Sequence, residues 1–224
     1  MDRVVSSYTP PLRALLEARK NGSADGDDGR MLVVAVPDAP GARPLEDVPK
    51  EQELLTRLFP GERHTPLAGD DAVRERMREE LPRHRWVRFA GHGGQDLADP
   101  SQGGLLPRDG KLTVTDIGAT GYRGAFTFLS ACKTATGGTT LPDEASTITA
   151  ALHYTGYRQV IGTLWSVDDA LAVVVAGSVY RRLTATGRFR PAGAARALHR
   201  AIRPLSAGHA TRPSAWVPYT HTGL

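Results

Sequence analysis

Apolar runs of strand length recur along the chain: Met31 to Val36, Trp86 to Ala90, Ala125 to Ala131 and Gln159 to Trp165. They are apolar almost throughout rather than alternating, which marks strands buried on both faces of a parallel sheet covered by helices. Between them the spacing changes to that of helices. Leu54, Leu55 and Leu58 share one face of a helix from Pro49 to Leu58, and Asp70-Asp71 open another that runs to Leu81 before Pro82. Further helices are expected over Leu12 to Lys20, Asp143 to Tyr154, Ala170 to Thr184 and Pro191 to Ile202, the last started by its proline. A short strand near Arg63 to Thr65 and a final edge strand from Trp216 to Thr222 complete the pattern. Strand and helix in alternation predict βαβ units with right-handed crossovers, an α/β fold whose mostly parallel sheet carries helices on both faces.

One stretch breaks the alternation. Gly103 to Val114 reads as an inserted β-hairpin turning at Asp109-Gly110, with Thr115-Asp116 capping a short helical turn after it. No internal repeat or dividing linker is visible, so residues 1–224 read as a single domain.

Composition narrows the classes. The hydrophobic fraction is 40% and the charged fraction 23%, ordinary for a globular protein. There is no signal-type apolar core after Met1 and no run of membrane-spanning length, so the expected location is the cytoplasm, with no membrane contact. A single cysteine excludes a disulfide framework and a multi-cysteine metal site. The aspartates between Asn21 and Gly29 lack the terminal glutamate of a calcium loop, so no metal is expected there, and no cofactor elsewhere. Net charge is +4 and the pI about 9.5, with arginines gathered at 74–88 and 181–203. Both clusters fall within helical patterns and read as solvated faces. Aromatics are only 6% of residues, which speaks against a nucleic-acid stacking platform.

Candidate chemistry lies at two strand ends. Trp86-Val-Arg-Phe-Ala-Gly-His-Gly-Gly94 delivers His92, and Ala125-Phe-Thr-Phe-Leu-Ser-Ala-Cys132 delivers the only cysteine. Ligands and catalytic groups of an open parallel sheet gather beyond its carboxyl ends, where both residues are expected. A histidine beside a thiol lowers its pKa or takes its proton. The imidazolium then protonates the leaving amine of a cleaved peptide. Gly93 and Cys132 are placed to offer backbone N–H groups to the oxyanion. Alone, the cysteine reads equally as a core residue, and Gly91-His-Gly-Gly94 as a tight turn or a phosphate-contacting loop without the P-loop lysine.

Phe89-Ala-Gly-His-Gly-Gly94, Leu129-Ser-Ala-Cys-Lys-Thr-Ala135 and Val160-Ile-Gly-Thr-Leu-Trp-Ser-Val-Asp-Asp169 resemble, in this order, the signatures of CHAT domains. These are caspase-like peptidase domains of the group that includes separases and gingipains. The resemblance implies a caspase-haemoglobinase fold and a cysteine endopeptidase acting on a protein substrate. It also implies His92 as general base or acid, Cys132 as nucleophile, an oxyanion hole from Gly93 and Cys132, and no third catalytic side chain. Asp96 and Asp99 lie in the right region for such a partner but are unassigned. Trp165, Ser166, Asp168 and Asp169 would border the primary specificity pocket, although Asp168-Asp169 suits a helix amino-terminal cap better. Ser166 stands where separases carry an aspartate. The family's usual segment before Ser7-Tyr-x-Pro is not seen here, so the resemblance leaves open a fragment, a mis-started gene product, or a short form needing a regulatory partner, with a tetratricopeptide-type region outside this chain. A non-catalytic CHAT scaffold or signalling module is the alternative, and a nucleotide-binding α/β domain is a third.

Overall fold

The computed structural model describes residues 4–9, 16, 19, 29–94, 96, 98–130, 148–209 and 211–223. The predicted strands are formed by β1 (Met31–Ala35), β2 (His64–Ala68), β3 (Trp86–Ala90), β7 (Phe126–Ser130), β8 (Gln159–Thr163) and β9 (Tyr219–Gly223). They make one six-stranded sheet in the order β2-β1-β3-β7-β8-β9, parallel except for β9, which runs antiparallel to β8. The remaining strands, β4 (His92–Gly94), β5 (Gly104–Leu106) and β6 (Leu112–Thr113), form a small antiparallel sheet.

The apolar runs are continuous because each strand serves two cores. In β1, Met31 and Val33 enter one hydrophobic cluster while Leu32 and Val34 enter the other. Trp86 and Phe126 join the first, and Val87, Phe89 and Leu129 the second. The first face is covered by α1 (Val48–Leu58), α5 (Asp169–Leu183) and α6 (Ala194–Gly208), with α5 packed against both neighbours. Gly177 lets α1 approach α5, since a Cβ there would stand 2.9 Å from the Leu54 side chain. Phe59, Trp86, Phe126, Tyr180 and Phe189 form an aromatic cluster beneath these helices, with edge-to-face, tilted and stacked contacts, Trp86 and Phe189 edge to face with centroids 4.8 Å apart. On the second face lie α2 (Arg74–Glu80), α3 (Val114–Gly118), α4 (Ile148–Tyr154) and the small sheet.

Several boundaries differ from expectation. The helix foreseen from Asp70 begins at Arg74, because Gly69–Asp71 form a tighter 3-10 turn that Ala72 N–H closes onto the Gly69 carbonyl. The strand near residue 64 is longer than expected and includes Pro66, tolerated because β2 is a sheet edge. The last helix begins only at Ala194, after a 3-10 turn at Pro191–Gly193, and continues through Pro204 to Gly208. Thr113, not Thr115, caps α3: its hydroxyl accepts from Asp116 N–H, and the Asp116 carboxylate accepts from Thr113 N–H. The tail strand starts at Tyr219 rather than Trp216. Most of the helix expected over 12–20, the start of the one at 143, and the loop at 21–28 lie outside the described residues.

The chain's two ends meet on β9. Tyr8 N–H donates to the His221 carbonyl at 2.8 Å, and Gly223 N–H donates to the Tyr8 carbonyl at 2.9 Å. His221 is buried with Nδ1 2.8 Å from the Ser7 hydroxyl and Nε2 2.7 Å from Gln159 Oε1. Burial, reinforced by His153, pushes its pKa from 6.5 down to about 4. The unfolded chain therefore binds a proton there that the folded one refuses between those values. Stability from this site is complete above pH 6.5 and falls as pH drops toward 4, by about 3 kcal/mol in all. His153, also lowered by burial, acts in the same direction. Urea midpoints measured from pH 7 to 4.5 should fall steadily, and His221→Gln should flatten that dependence.

Candidate active site

The chain runs outward from β1 to β2, then returns to the other side of β1 to form β3. This reversal opens a crevice at the carboxyl ends of the parallel strands, the usual ligand position of such sheets. A cleft of about 280 Å³ lies there. Arg43 and Leu45 border it from the loop after β1, Gly91 and His92 from the end of β3, and Ser130 from the end of β7. Ser166, Val167 and Asp169 close it from the segment after β8.

His92 lies just beyond the end of β3, as expected, and also opens β4, opposite Leu106, with Gly93 opposite Leu105. The β5–β6 hairpin is thus the framework of the histidine loop rather than a free insertion. Gly104 allows that framework to close, since a Cβ there would lie 2.2 Å from the Leu112 carbonyl oxygen. His92 is 9% exposed, and its Nε2 lies 2.7 Å from the Arg43 carbonyl oxygen. A carbonyl only accepts, so Nε2 carries the proton and the neutral ring keeps its lone pair on Nδ1. A backbone carbonyl therefore orients the imidazole. Asp96 accepts from Ala98 and Asp99 N–H groups and Asp99 accepts from Ser101, so both serve local turns.

Cys132 lies outside the described residues; Ser130, two positions before it, lines the cleft with His92. Of the expected pocket residues, Ser166 and Asp169 line the cleft, whereas Trp165 and Asp168 do not. Asp168 caps α5, its carboxylate accepting from Leu171 N–H at 3.2 Å. Asp169 accepts from Asp47 N–H at 2.8 Å, joining the start of α5 to the start of α1.

Sequence reasoning missed the ion pair beneath the cleft. Arg88 is fully buried and donates through Nε to Glu51, itself 2% exposed and part of the cleft lining. Nη1 of Arg88 donates to the Phe89 carbonyl at 3.0 Å and the Phe128 carbonyl at 2.9 Å. Its guanidinium also sits 4.5 Å above the Phe128 ring. One side chain therefore ties β3 to β7, the strands that lead to His92 and Cys132. Desolvation opposes the Arg88 charge, but attraction to Glu51 prevails and holds its pKa above the ordinary value. The available signal was an arginine inside a run otherwise buried on both faces, a position that demands a partner.

The sequence pattern of the CHAT domain matches residues 1–224. The chain belongs to the CHAT family. Its fold is similar to that of the Arg-specific cysteine proteinase gingipain R, with a TM-score of 0.63 at 12% identity over 94% of this chain and 50% of that one. The complex of Porphyromonas gingivalis RgpB pro- and mature domains gives 0.62 at 10%, over 94% and 51%. The Saccharomyces cerevisiae separase–securin complex gives 0.66 at 12% identity, over 97% of this chain and 13% of that one. This CHAT chain thus spans about half of the gingipain chains and a small part of separase. A comparison with curated protein sequences finds no match. The caspase-like α/β fold expected from the CHAT motifs is the fold observed, and among the described residues no helix is long and apolar enough to cross a membrane.

Breaking the buried pair from one side leaves an uncompensated charge. Arg88→Met should lower unfolding free energy by about 3–5 kcal/mol, and the double change with Glu51→Met should recover most of it. Urea denaturation of the two variants checks this.

Proposed function

We propose that this CHAT chain is a cysteine endopeptidase in which His92 and Cys132 form the catalytic dyad. The observation that carries the reading is the His92 ring, held by the Arg43 carbonyl with Nδ1 left as base, in a cleft that Ser130 also borders. In the reaction, Nδ1 takes the thiol proton and the Cys132 thiolate attacks the scissile carbonyl carbon. The N–H groups of Gly93 and Cys132 receive the oxyanion. The imidazolium then gives its proton to the leaving amine, and water activated by the same ring hydrolyses the thioester.

The substrate is a protein cut after a basic residue. Asp169 supports this, because it lines the cleft and has no ion pair among the described residues, while Glu51 is already matched by Arg88. Ser166 lines the same cleft. The similarity to an Arg-specific proteinase points the same way.

Profiling against a peptide library tests both statements. Cys132→Ala and His92→Ala should each reduce cleavage by about 10³-fold or more. Asp169→Asn keeps an acceptor for Asp47 N–H and should lower kcat/KM for arginine-containing peptides by roughly tenfold or more, with little effect on neutral ones. Cleavage by Cys132→Ala at the parent rate would overturn the mechanism, and an unchanged profile for Asp169→Asn would overturn the specificity.

A further inference from the structure

On the side of the molecule formed by α6 and β9, exposed apolar groups and arginines lie together. Val4, Val5 and Tyr8 are 69%, 43% and 59% exposed, large hydrophobic side chains left in water within one short segment. That segment borders a cavity of about 580 Å³ into which Leu198, Ile202 and Trp216 also face. Val5 further borders a groove of about 430 Å³, floored by Leu183 and Ala197 and rimmed by Arg182, Arg190, Arg196 and Arg200. Neither hollow shares a lining residue with the His92 cleft.

The four arginines come from α5, from the turn after it and from α6, and all are exposed. Among the described residues none of them makes an ion pair with a carboxylate. Arg182 and Arg190 are braced by Ser178 and Thr186, which offer oxygen but no charge. The chain itself is one-sided here: after Asp169 it holds eight arginines and not one aspartate or glutamate. Exposed arginines elsewhere, such as Arg57, Arg76 and Arg78, have carboxylate partners. A solvated helix face therefore accounts for Arg74, Arg76 and Arg78 of the first cluster, but not for Arg88, which is buried in β3, nor for the second cluster.

We propose that this face docks an acidic segment of a partner protein, its carboxylates on the arginine rim and its apolar side chains over Val4, Val5 and the adjoining cavity. Arginine around aromatic and aliphatic anchors is the composition of interface hot spots. The apolar part favours protein over nucleic acid, since a phosphate backbone has nothing to cover Val4 and Val5. The inference is independent of the catalytic reading, because the face lies apart from the His92 cleft.

Fluorescence anisotropy on the whole chain tests it, with a labelled peptide of about twelve residues rich in glutamate and leucine as probe. A duplex DNA of roughly 20 base pairs is the competing ligand. Saturable peptide binding is expected, weakened at least about tenfold by Arg196→Glu with Arg200→Glu, and also by Val5→Asp. The control pair Arg108→Glu with Lys111→Glu, on the hairpin, makes the same change of net charge and should leave binding within about twofold. Equal loss in both pairs would overturn the proposal, as would absence of saturation or tighter binding of the duplex. Self-association abolished by Val5→Asp would assign the face to a second copy instead and overturn it too.

Discussion

The buried Arg88–Glu51 pair holds together the parts on which the site depends. Burying two charges is costly, and the pair persists because Glu51 answers Arg88 directly while two backbone carbonyls and an aromatic face take up other parts of the guanidinium. Those partners belong to α1, β3 and β7. A hydrophobic residue at 88 would pack against the same helices yet would not tie the Phe89 and Phe128 carbonyls together. The pair thus fixes the relative placement of two strand ends just below the cleft, which an apolar contact, being non-directional, does less well.

Above that base, among the described residues, it is backbone that holds His92 in place. The small sheet sets the His92 loop by antiparallel pairing, and the Arg43 carbonyl sets the ring. A carbonyl orients the imidazole without adding charge beside it. Asp169 remains as the negative group at the cleft's margin, tethered through the start of α1.

The distribution of charge gives the cleft and the arginine-rimmed face different chemistry. Carboxylates line the cleft at the carboxyl ends of the strands, while the chain after Asp169 carries arginine without acid. A basic residue suits the first and an acidic segment the second. One protein could satisfy both only by spanning the distance between separate faces, an arrangement in which docking and cleavage reinforce each other through effective concentration.

Much was legible in the sequence because it rests on local rules. Continuous apolar runs required strands covered on both faces, the alternation with helical spacing required parallel crossovers, and the strand-end position of His92 followed from where its run stops. Helix starts near Asp70 and Pro191 were misplaced because short-range turns competed with the helix, and periodicity does not register a 3-10 turn. The Asp168 cap was readable from its neighbours along the chain, whereas Asp169 reaching Asp47 was not. Arg88 announced that it needed a partner, but finding Glu51 required the packing of a helix on a strand thirty-seven residues away. Likewise His92 was visible as a candidate, while the atom that orients it is a main-chain oxygen with no side-chain signature. The sequence alone determined which residues must be buried and which types could do chemistry, since periodicity and side-chain character are local. Tertiary structure decided which atoms meet, because the order of strands and the path of the loop after β1 depend on contacts distant along the chain.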